Sequence, residues 1–327
     1  MLPTPPTSRR SEAWRTVARS GAALVSRGLE ALAVLLVLAS LVFFALRVLP
    51  GDPAALVLGD QASEAELHAL RTRLHFDQPL YVQYARFLGG LAHFEFGESL
   101  RRPGVRASAR AWEALGPTSE LAGLAVLLGA IVGVGLALLA EGPWLGARRH
   151  WIERAFVGIA ASPLLAFAPL VTYLLAAKWR IVPLPGDPDA GLGGLLFASA
   201  LLALPLAAQV GRVGRAALAE VAHAPFLQVA MAKGAGSIRV WVVHALPAST
   251  GPIITVVATQ LGALLGGAVV LERLFERAGL GTLILEAYAS RDLPVLEASV
   301  ILAGALFVVA QGVAGALHAA IDPRVRA

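Results

Sequence analysis

Side chains that could serve as nucleophiles are few in this sequence, and none is paired with a base. Ser162 and Ser199 stand in strongly apolar surroundings, as does His318 near the end of the chain. Nucleophilic catalysis needs the nucleophile and its base within hydrogen-bonding reach, and no spacing here links these residues. An isolated serine in an apolar helix usually bonds to its own backbone instead. We therefore predict no catalytic residue.

Metal ligation has little support in the sequence. Cys is absent, which excludes thiolate ligands and disulfide bonds within the chain. His68, His75 and His93 are separated by seven and eighteen residues. Paired histidine ligands on a helix are typically about four residues apart, so no two of these share a helix face as ligands. We predict no metal site and no cofactor.

The sequence also lacks a means of driving transport by itself. A Walker A loop ends in Gly-Lys followed by Ser or Thr, whereas Lys178 and Lys233, the only lysines, both follow Ala. An ion-coupled carrier binds its driving ion through acidic or histidine residues at membrane depth. The notable polar residues of the apolar runs are Gln209, Gln260, Gln311 and His318. If the chain takes part in transport, the energy must therefore come from outside the chain, and an ion-coupled carrier is the weaker alternative.

One segment has the composition of a docking element, and we call this segment, residues 222–247, the coupling loop. Its Ala, Met, Gln and Lys residues favour a helix, and Gly234 can end that helix. A second helix would then return to the membrane. A helix face of small residues lets another backbone approach closely, which suits entry into a protein groove.

The composition places the chain in the membrane. Of its 327 residues, 57% are hydrophobic and 15% are charged, and the mean hydropathy is +0.70. A soluble domain needs more polar surface than this. Spanning the hydrocarbon region takes about 20 mostly apolar residues per helix, and lipid offers exposed backbone groups no partners. We predict an all-α membrane protein with six transmembrane helices over residues 29–49, 121–140, 155–177, 192–210, 253–271 and 298–320.

Arginine accounts for nearly all of the positive charge, and the formal net charge is +5. Basic residues near the membrane are enriched on the cytoplasmic side. One side holds twelve of them, namely Arg15, Arg19, Arg27, Arg148, Arg149, Arg154, Arg212, Arg215, Lys233, Arg239, Arg324 and Arg326. The other side holds five, namely Lys178, Arg180, Arg273, Arg277 and Arg291. Both termini and the coupling loop are therefore predicted to be cytoplasmic. No long basic stripe with interleaved aromatic residues occurs, so no nucleic-acid partner is predicted.

The predicted spans divide the chain into successive parts. Residues 1–28 form a cytoplasmic tail, 29–49 the first transmembrane helix, and 50–116 an extracytoplasmic segment with short amphipathic helices. Residues 117–321 form a five-helix core that contains the coupling loop, and 322–327 form a second cytoplasmic tail. Within the extracytoplasmic segment, Ser63 followed by Glu66 predicts a capped helix. Pro79 predicts the start of another.

Two pairs of glycine residues have the spacing that lets membrane helices pack closely. Gly129 and Gly133 are four residues apart, and so are Gly262 and Gly266. These pairs could join helices within one bundle or join the chain to a second subunit. The spacing alone does not choose between the two.

The coupling loop resembles the EAA loop of ABC importer permeases. That loop has the pattern Glu-Ala-Ala, three residues, Gly, nine residues, Ile, any residue, Leu-Pro. Aligned on Gly234, the chain matches the second Ala, the Gly and the closing Leu-Pro. It differs where Gln228, Val229 and His244 replace Glu, Ala and Ile.

Further motifs are similar to those of the dipeptide/oligopeptide/nickel permease family, in the subunit type with a long first extracytoplasmic segment. Residues 47–53 are similar to its R-x-x-P-G-D-P motif, 77–87 to D-x-P-L-x-x-Q-Y-x-x-F, and 96–99 to F-G-x-S. Residues 279–281 and 291–294 match P-G-L-G and R-D-Y-P in part, and 322–324 repeat the closing D-P-R. Ala278 stands in place of a Pro and Leu293 in place of an aromatic residue.

This resemblance implies a type I ABC importer permease with the MetI-like fold, in the bacterial inner membrane. One copy would pair with a second related permease subunit, two ATP-binding-cassette ATPase subunits and an extracytoplasmic solute-binding protein. The coupling loop would dock onto the ATPase subunits, which supply ATP hydrolysis, and transmit the closure of their dimer. The candidate docking residues are Gln228, Ala230, Ala232, Lys233, Gly234, Ser237, His244 and Pro247. Dipeptides or oligopeptides are the expected solutes, with nickel or another small solute as the alternative. A membrane scaffold without a transport function would need no such loop.

Overall fold

The computed structural model describes residues 8–48, 55, 58 and 62–321 of the chain. In this part of the chain the protein is all-α and contains no β-strand beyond a single bridge between Glu98 and Arg106. The predicted tail 322–327 with its D-P-R motif, and most of the motif at 47–53, lie outside the described residues. The helices are α1 (Ser8–Val48), α2 (Glu64–Arg73), α3 (Leu80–Ala92), α4 (Ala107–Glu141), α5 (Arg149–Ala161), α6 (Leu164–Thr172), α7 (Gly191–Val221), α8 (Pro225–Ala232), α9 (Ser237–Arg239), α10 (Leu246–Ala248), α11 (Thr250–Leu274), α12 (Leu280–Ala289) and α13 (Leu293–Ile321).

The chain forms two compact units, residues 1–90 and 91–327. In the first unit, the ring of Phe43 on α1 lies 5.1 Å from the rings of Tyr84 and Phe87 on α3. The guanidinium group of Arg47 lies 3.5 Å from the centre of the Phe43 ring and donates to the side-chain oxygen of Gln83 at 3.2 Å. Aromatic packing and a cation over a ring face therefore join α1 to α3.

Helix α2 begins with the capping box that Ser63 and Glu66 predict. The Ser63 hydroxyl accepts from the Glu66 N–H at 3.3 Å, and the Ser63 N–H donates to the Glu66 carboxylate at 2.9 Å. The backbone and hydroxyl of Ser63 both donate to this carboxylate and lower the pKa of Glu66. The cap is therefore complete when Glu66 is ionised.

Five helices of the described chain are long and apolar enough to cross a membrane, namely α1, α4, α7, α11 and α13. Helix α5 and the segment Leu164–Lys178 meet at an angle of 108°. If the two are counted together as one broken span, they form a sixth span. The sequence predicts one run over residues 155–177, and the structure bends that run at Ser162–Pro163. Proline disfavours the α conformation in the residue before it, and Ser162 is accordingly extended, with ψ 123°.

Helices α4 and α7 pack closely in the second unit. The buried residues of α4 recur every three or four positions, which places them on one face. A β-carbon on Gly129 would lie 2.8 Å from Leu206 of α7. One on Gly133 would lie 2.7 Å from the β-carbon of Val210 and 2.8 Å from the backbone oxygen of Ala207. This pair of glycines therefore packs two helices of the same chain.

The second glycine pair is divided between two environments. A β-carbon on Gly262 of α11 would lie 2.8 Å from the ring of Phe307 on α13, whereas one on Gly266 would meet nothing within 4 Å. Gly262 thus serves packing within the chain, and Gly266 faces away from it.

Candidate functional site

The coupling loop begins with helix α8, which Pro225 opens. Pro225 is the first residue of this helix, where its missing N–H costs no helical hydrogen bond, and Ala224 before it is extended, with ψ 138°. The helix ends at Ala232. Gly234 follows in the left-handed conformation with φ 84°, and its N–H donates to the carbonyl oxygen of Met231 at 2.9 Å. Gly234 therefore ends the helix, in agreement with the sequence-based prediction.

One face of α8 holds the coupling loop against the longer helices. Leu227 and Ala230 are 2% and 8% exposed and pack in an apolar cluster with Ala137 of α4, Leu218 of α7 and Val240. Ala230, one of the candidate docking residues, thus faces the core of the chain itself. Burial of this face fixes the orientation of α8 and so determines which of its residues face outward.

The remaining surface of α8, which we call its exposed face, carries large apolar side chains. Phe226, Val229 and Met231 are 45%, 52% and 54% exposed, and Ile238 of α9 is 67% exposed. Exposed apolar groups gathered in one loop are typical of a surface that contacts another protein. The candidate residues exposed in the same segment are Gln228, Ala232, Lys233, Gly234 and Ser237.

The returning part of the coupling loop contains a π-helical segment, Val240–Ala245, between α9 and α10. His244 is half-buried, and its Nδ1 atom lies 3.1 Å from the carbonyl oxygen of Arg239. Pro247 is exposed in α10. These two candidate residues therefore lie in the segment that leads back to the membrane helices, and not in α8. π-Helical turns are rare, and they occur frequently at functional sites.

Arg215 of α7 joins three helices near the base of the coupling loop. Its guanidinium group lies 3.1 Å from the carboxylate of Glu153 on α5 and 3.5 Å from that of Glu141 at the end of α4. A single cation between two carboxylates offsets their repulsion, and the planar guanidinium group can contact both. This ion-pair network ties together the helix ends beside which α8 lies.

The two serine residues weighed as nucleophiles donate to backbone carbonyl groups. The Ser162 hydroxyl donates to the Gly158 oxygen at 2.8 Å, and the Ser199 hydroxyl donates to the Leu121 oxygen at 3.4 Å. These bonds satisfy hydroxyl groups within apolar helices. The side chain of His318 lies outside the described residues.

Two of the sequence motifs meet in space, although the sequence-based prediction gave them no contact. Asp292, from residues 291–294, is 1% exposed and accepts hydrogen bonds from the Ser99 hydroxyl and, at 3.0 Å, from the Leu100 N–H. Arg110 lies 3.9 Å from the same carboxylate. The Arg101 side chain donates to the Ser290 oxygen at 2.7 Å. The turn between α12 and α13 thus holds the loop that contains residues 96–99.

Sequence-based prediction also missed Glu272, a fully buried carboxylate of α11. Glu272 lies one residue beyond the predicted span 253–271. Acidic residues are common just outside membrane spans, so the sequence alone did not single this residue out. The available signal was the pair Gly279 and Gly281 a few residues later, since closely spaced glycines indicate a close approach of the backbone to another group.

These features define a class of protein. Helices that are long and apolar enough to cross a membrane, packed as a bundle with the coupling loop against it, are typical of an integral membrane protein. The chain belongs to the family of binding-protein-dependent transport system inner membrane components, whose family model matches residues 125–327. A second model, of the N-terminal region of such membrane components, matches residues 22–100.

Relatives resemble the chain over almost its whole length. A protein of Brucella abortus (strain 2308), provisionally named a peptide transport system permease, is 32% identical over 317 residues, which cover 93% of this chain and 99% of the relative. The glutathione transport system permease protein GsiC of Shigella boydii serotype 4 (strain Sb227) is 30% identical over 308 residues, with coverages of 93% and 98%.

Family membership confirms the main sequence-based predictions. The chain is the permease subunit of an ABC importer, a multi-pass protein of the inner membrane with the type I importer fold. It is not itself an enzyme, and the importer includes ATPase subunits and a solute-binding protein.

Proposed function

We propose that the chain forms the passage of an importer for dipeptides or oligopeptides, together with one related permease subunit. The observation that carries this proposal is the resemblance over 93% of the chain to a relative provisionally named for peptide transport and to one named for glutathione. Glutathione is itself a short peptide, so both names belong to one chemical class of solute.

One face of α11 supports a wide passage of low selectivity. Thr255, Thr259, Ala263 and Gly266 follow one another at helical spacing and are all exposed. The Thr255 hydroxyl donates to the Gly251 oxygen at 3.0 Å, and the Thr259 hydroxyl donates to the Val256 oxygen at 3.0 Å. Small side chains and hydroxyl groups suit a peptide backbone, whose amide groups need hydrogen-bonding partners in place of water.

We further propose that the exposed face of α8 docks onto one ATPase subunit, in a complex of two permeases, two ATPases and one solute-binding protein. Two features support this placement. The exposed face includes large apolar side chains, and the burial of Leu227 and Ala230 fixes the orientation of α8. Both the coupling loop and the chain termini would then be cytoplasmic.

Uptake measurements test the solute. In a strain without other peptide permeases, deletion of the chain should abolish uptake of labelled dipeptides and tripeptides, and expression of the chain should restore it. A chain that restored nickel-dependent growth but no peptide uptake would contradict the peptide assignment and favour the metal alternative.

Cysteine labelling tests the topology, because the native chain contains no Cys. Asp77 and Ser237 are both exposed. We expect Asp77→Cys to react with an impermeant maleimide in intact spheroplasts, and Ser237→Cys to react only after the membrane is permeabilised. The reverse order of reaction would show that the coupling loop faces outward.

A further inference from the structure

The carboxylate of Glu272 is buried at the end of α11 that lies opposite the coupling loop. It is 0% exposed, and it accepts from the Thr118 hydroxyl of α4 at 2.5 Å and from the Thr282 N–H of α12 at 3.0 Å. The Thr118 oxygen also accepts from the Leu280 N–H at 2.8 Å. One carboxyl group and one hydroxyl group thus connect three helices, and we call Glu272 and Thr118 the clasp.

The N-terminus of α12 takes the place of a cation in the clasp. No Lys, Arg or His among the described residues pairs with Glu272. The first N–H groups of a helix lack partners within the helix, and the helix dipole adds positive potential there. The Thr282 N–H donates to the Glu272 carboxylate directly, and the Leu280 N–H donates to the Thr118 hydroxyl, which in turn donates to the same carboxylate.

Glycine residues bring α12 close enough for this contact. A β-carbon on Gly279 would overlap the Glu272 carboxylate, and one on Gly281 would lie 2.6 Å from the α-carbon of Val269 on α11. Two of the motif residues at 279–281 are therefore explained by the clasp. Such a close approach would be unnecessary if Glu272 were merely a surface carboxylate.

The clasp is connected to the coupling loop by a single helix. The return of the coupling loop leads through α10 directly into α11, which has 25 residues and is therefore about 37 Å long. Four of the five buried residues of α11, namely Leu264, Ala268, Leu271 and Glu272, lie in the half of the helix that is farther from the coupling loop. A helix held firmly at its far end passes an axial movement to the elements that this end contacts.

We propose that Glu272 is a positioning residue of the transport cycle. Through Thr118 and the N-terminus of α12, it fastens α11 to α4 and α12, so that movement of the coupling loop during ATP hydrolysis repositions α12 at the opposite end of the membrane helices. The role goes beyond the proposed solute, because it concerns the connection between the ATPase subunits and the far end of the passage.

The test uses the whole importer, purified through a tag on this chain and placed in lipid nanodiscs. Ala289 is exposed on α12, so Ala289→Cys reports the position of that helix. The rate of maleimide labelling of this chain is compared between the resting complex and the complex trapped with MgATP and vanadate. We expect the two labelling rates to differ in the Ala289→Cys background. We expect Glu272→Gln to remove most of this difference, although the Glu272→Gln complex still hydrolyses ATP when vanadate is absent.

Further variants separate positioning from general stability. Thr118→Val should also remove most of the difference in labelling rate, whereas Thr118→Ser should retain it. The double variant Glu272→Gln/Thr118→Val should lose no more of this difference than either single variant does. Glu286→Gln is the matched control, because this exposed carboxylate of α12 takes no part in the clasp. The proposal is overturned if labelling of Ala289→Cys never depends on nucleotide. It is overturned equally if assembled Glu272→Gln or Thr118→Val complexes keep the full difference. Because no solute is added, these results are independent of the peptide assignment.

Discussion

Replacing Gly234 by Asp should leave the chain inserted in the membrane at normal abundance and yet abolish transport. Gly234 has φ 84°, and a β-carbon there would meet nothing within 4 Å of the chain itself. The left-handed conformation costs a residue with a β-carbon about 1–2 kcal/mol, and Asp tolerates it better than most. The chain can therefore absorb the change. A docked ATPase subunit cannot accommodate the change, because the added carboxylate would be buried without a partner between the coupling loop and that subunit.

Two measurements check this prediction. Membrane abundance is followed by immunoblot, and the ATPase subunits recovered with the tagged chain are quantified alongside solute uptake. We expect the ATPase subunits to be lost from the complex, or retained without transport. Import at near-normal rates by complexes that keep their ATPase subunits would show that the coupling loop docks elsewhere.

Gly146 offers a closely matched control for Gly234. It also has a positive φ, 49°, and a β-carbon on it would likewise meet nothing within 4 Å. The same change to Asp therefore costs similar backbone strain in the turn between α4 and α5. Transport by Gly146→Asp should remain close to that of the unmodified chain. A similar loss in both variants would attribute the effect to strain or charge in general.

The second large effect is expected from Gly133→Leu, which should strongly destabilise the folded chain. Gly133 faces the backbone of α7, where Ala207 offers a carbonyl oxygen 2.8 Å from the position of a β-carbon. A backbone atom cannot rotate away as a side chain does, so α4 and α7 must separate. Overpacking costs about 1–3 kcal/mol, and this site belongs at the upper end because the packing between the two helices is lost as well.

The measurements for Gly133→Leu are the midpoint of thermal unfolding in detergent and the abundance of the chain in the membrane. Gly135→Leu serves as the control, because Gly135 lies on the same helix and a β-carbon there would meet nothing within 4 Å. We expect the control to unfold at nearly the normal temperature. Equal behaviour of both variants would mean that the close packing of α4 and α7 contributes little to stability.

Sequence reasoning succeeded where the determinants are local. The spans follow from runs of apolar residues, the cap of α2 from Ser63 and Glu66, and the end of α8 from Gly234. Each of these depends on residues a few positions apart. The resemblance to known permeases also rested on short motifs in order, which family membership has confirmed.

The features that the sequence did not predict depend on contacts between residues distant in sequence, or on a single residue that interrupts an otherwise continuous apolar run. Ser99 contacts Asp292, which lies 193 positions later in the sequence, and Thr118 contacts Glu272, which lies 154 positions later. No pattern of short sequence spacing predicts contacts of this range. The bend at Pro163 interrupts a run that composition alone marks as continuous. The inward orientation of Ala230 follows from packing against α4 and α7 and could not be read from α8 by itself.

The π-helical segment Val240–Ala245 has a consequence for helical phase. A π-turn amounts to one residue inserted into an α-helix, and each residue of an α-helix advances its azimuth by about 100°. Deleting one residue from this segment would therefore rotate α9, which directly precedes it, relative to α11 by about that angle. The azimuth at which the coupling loop joins α11 is thus set by a single supernumerary residue, whereas the orientation of α8 is fixed by its own buried face.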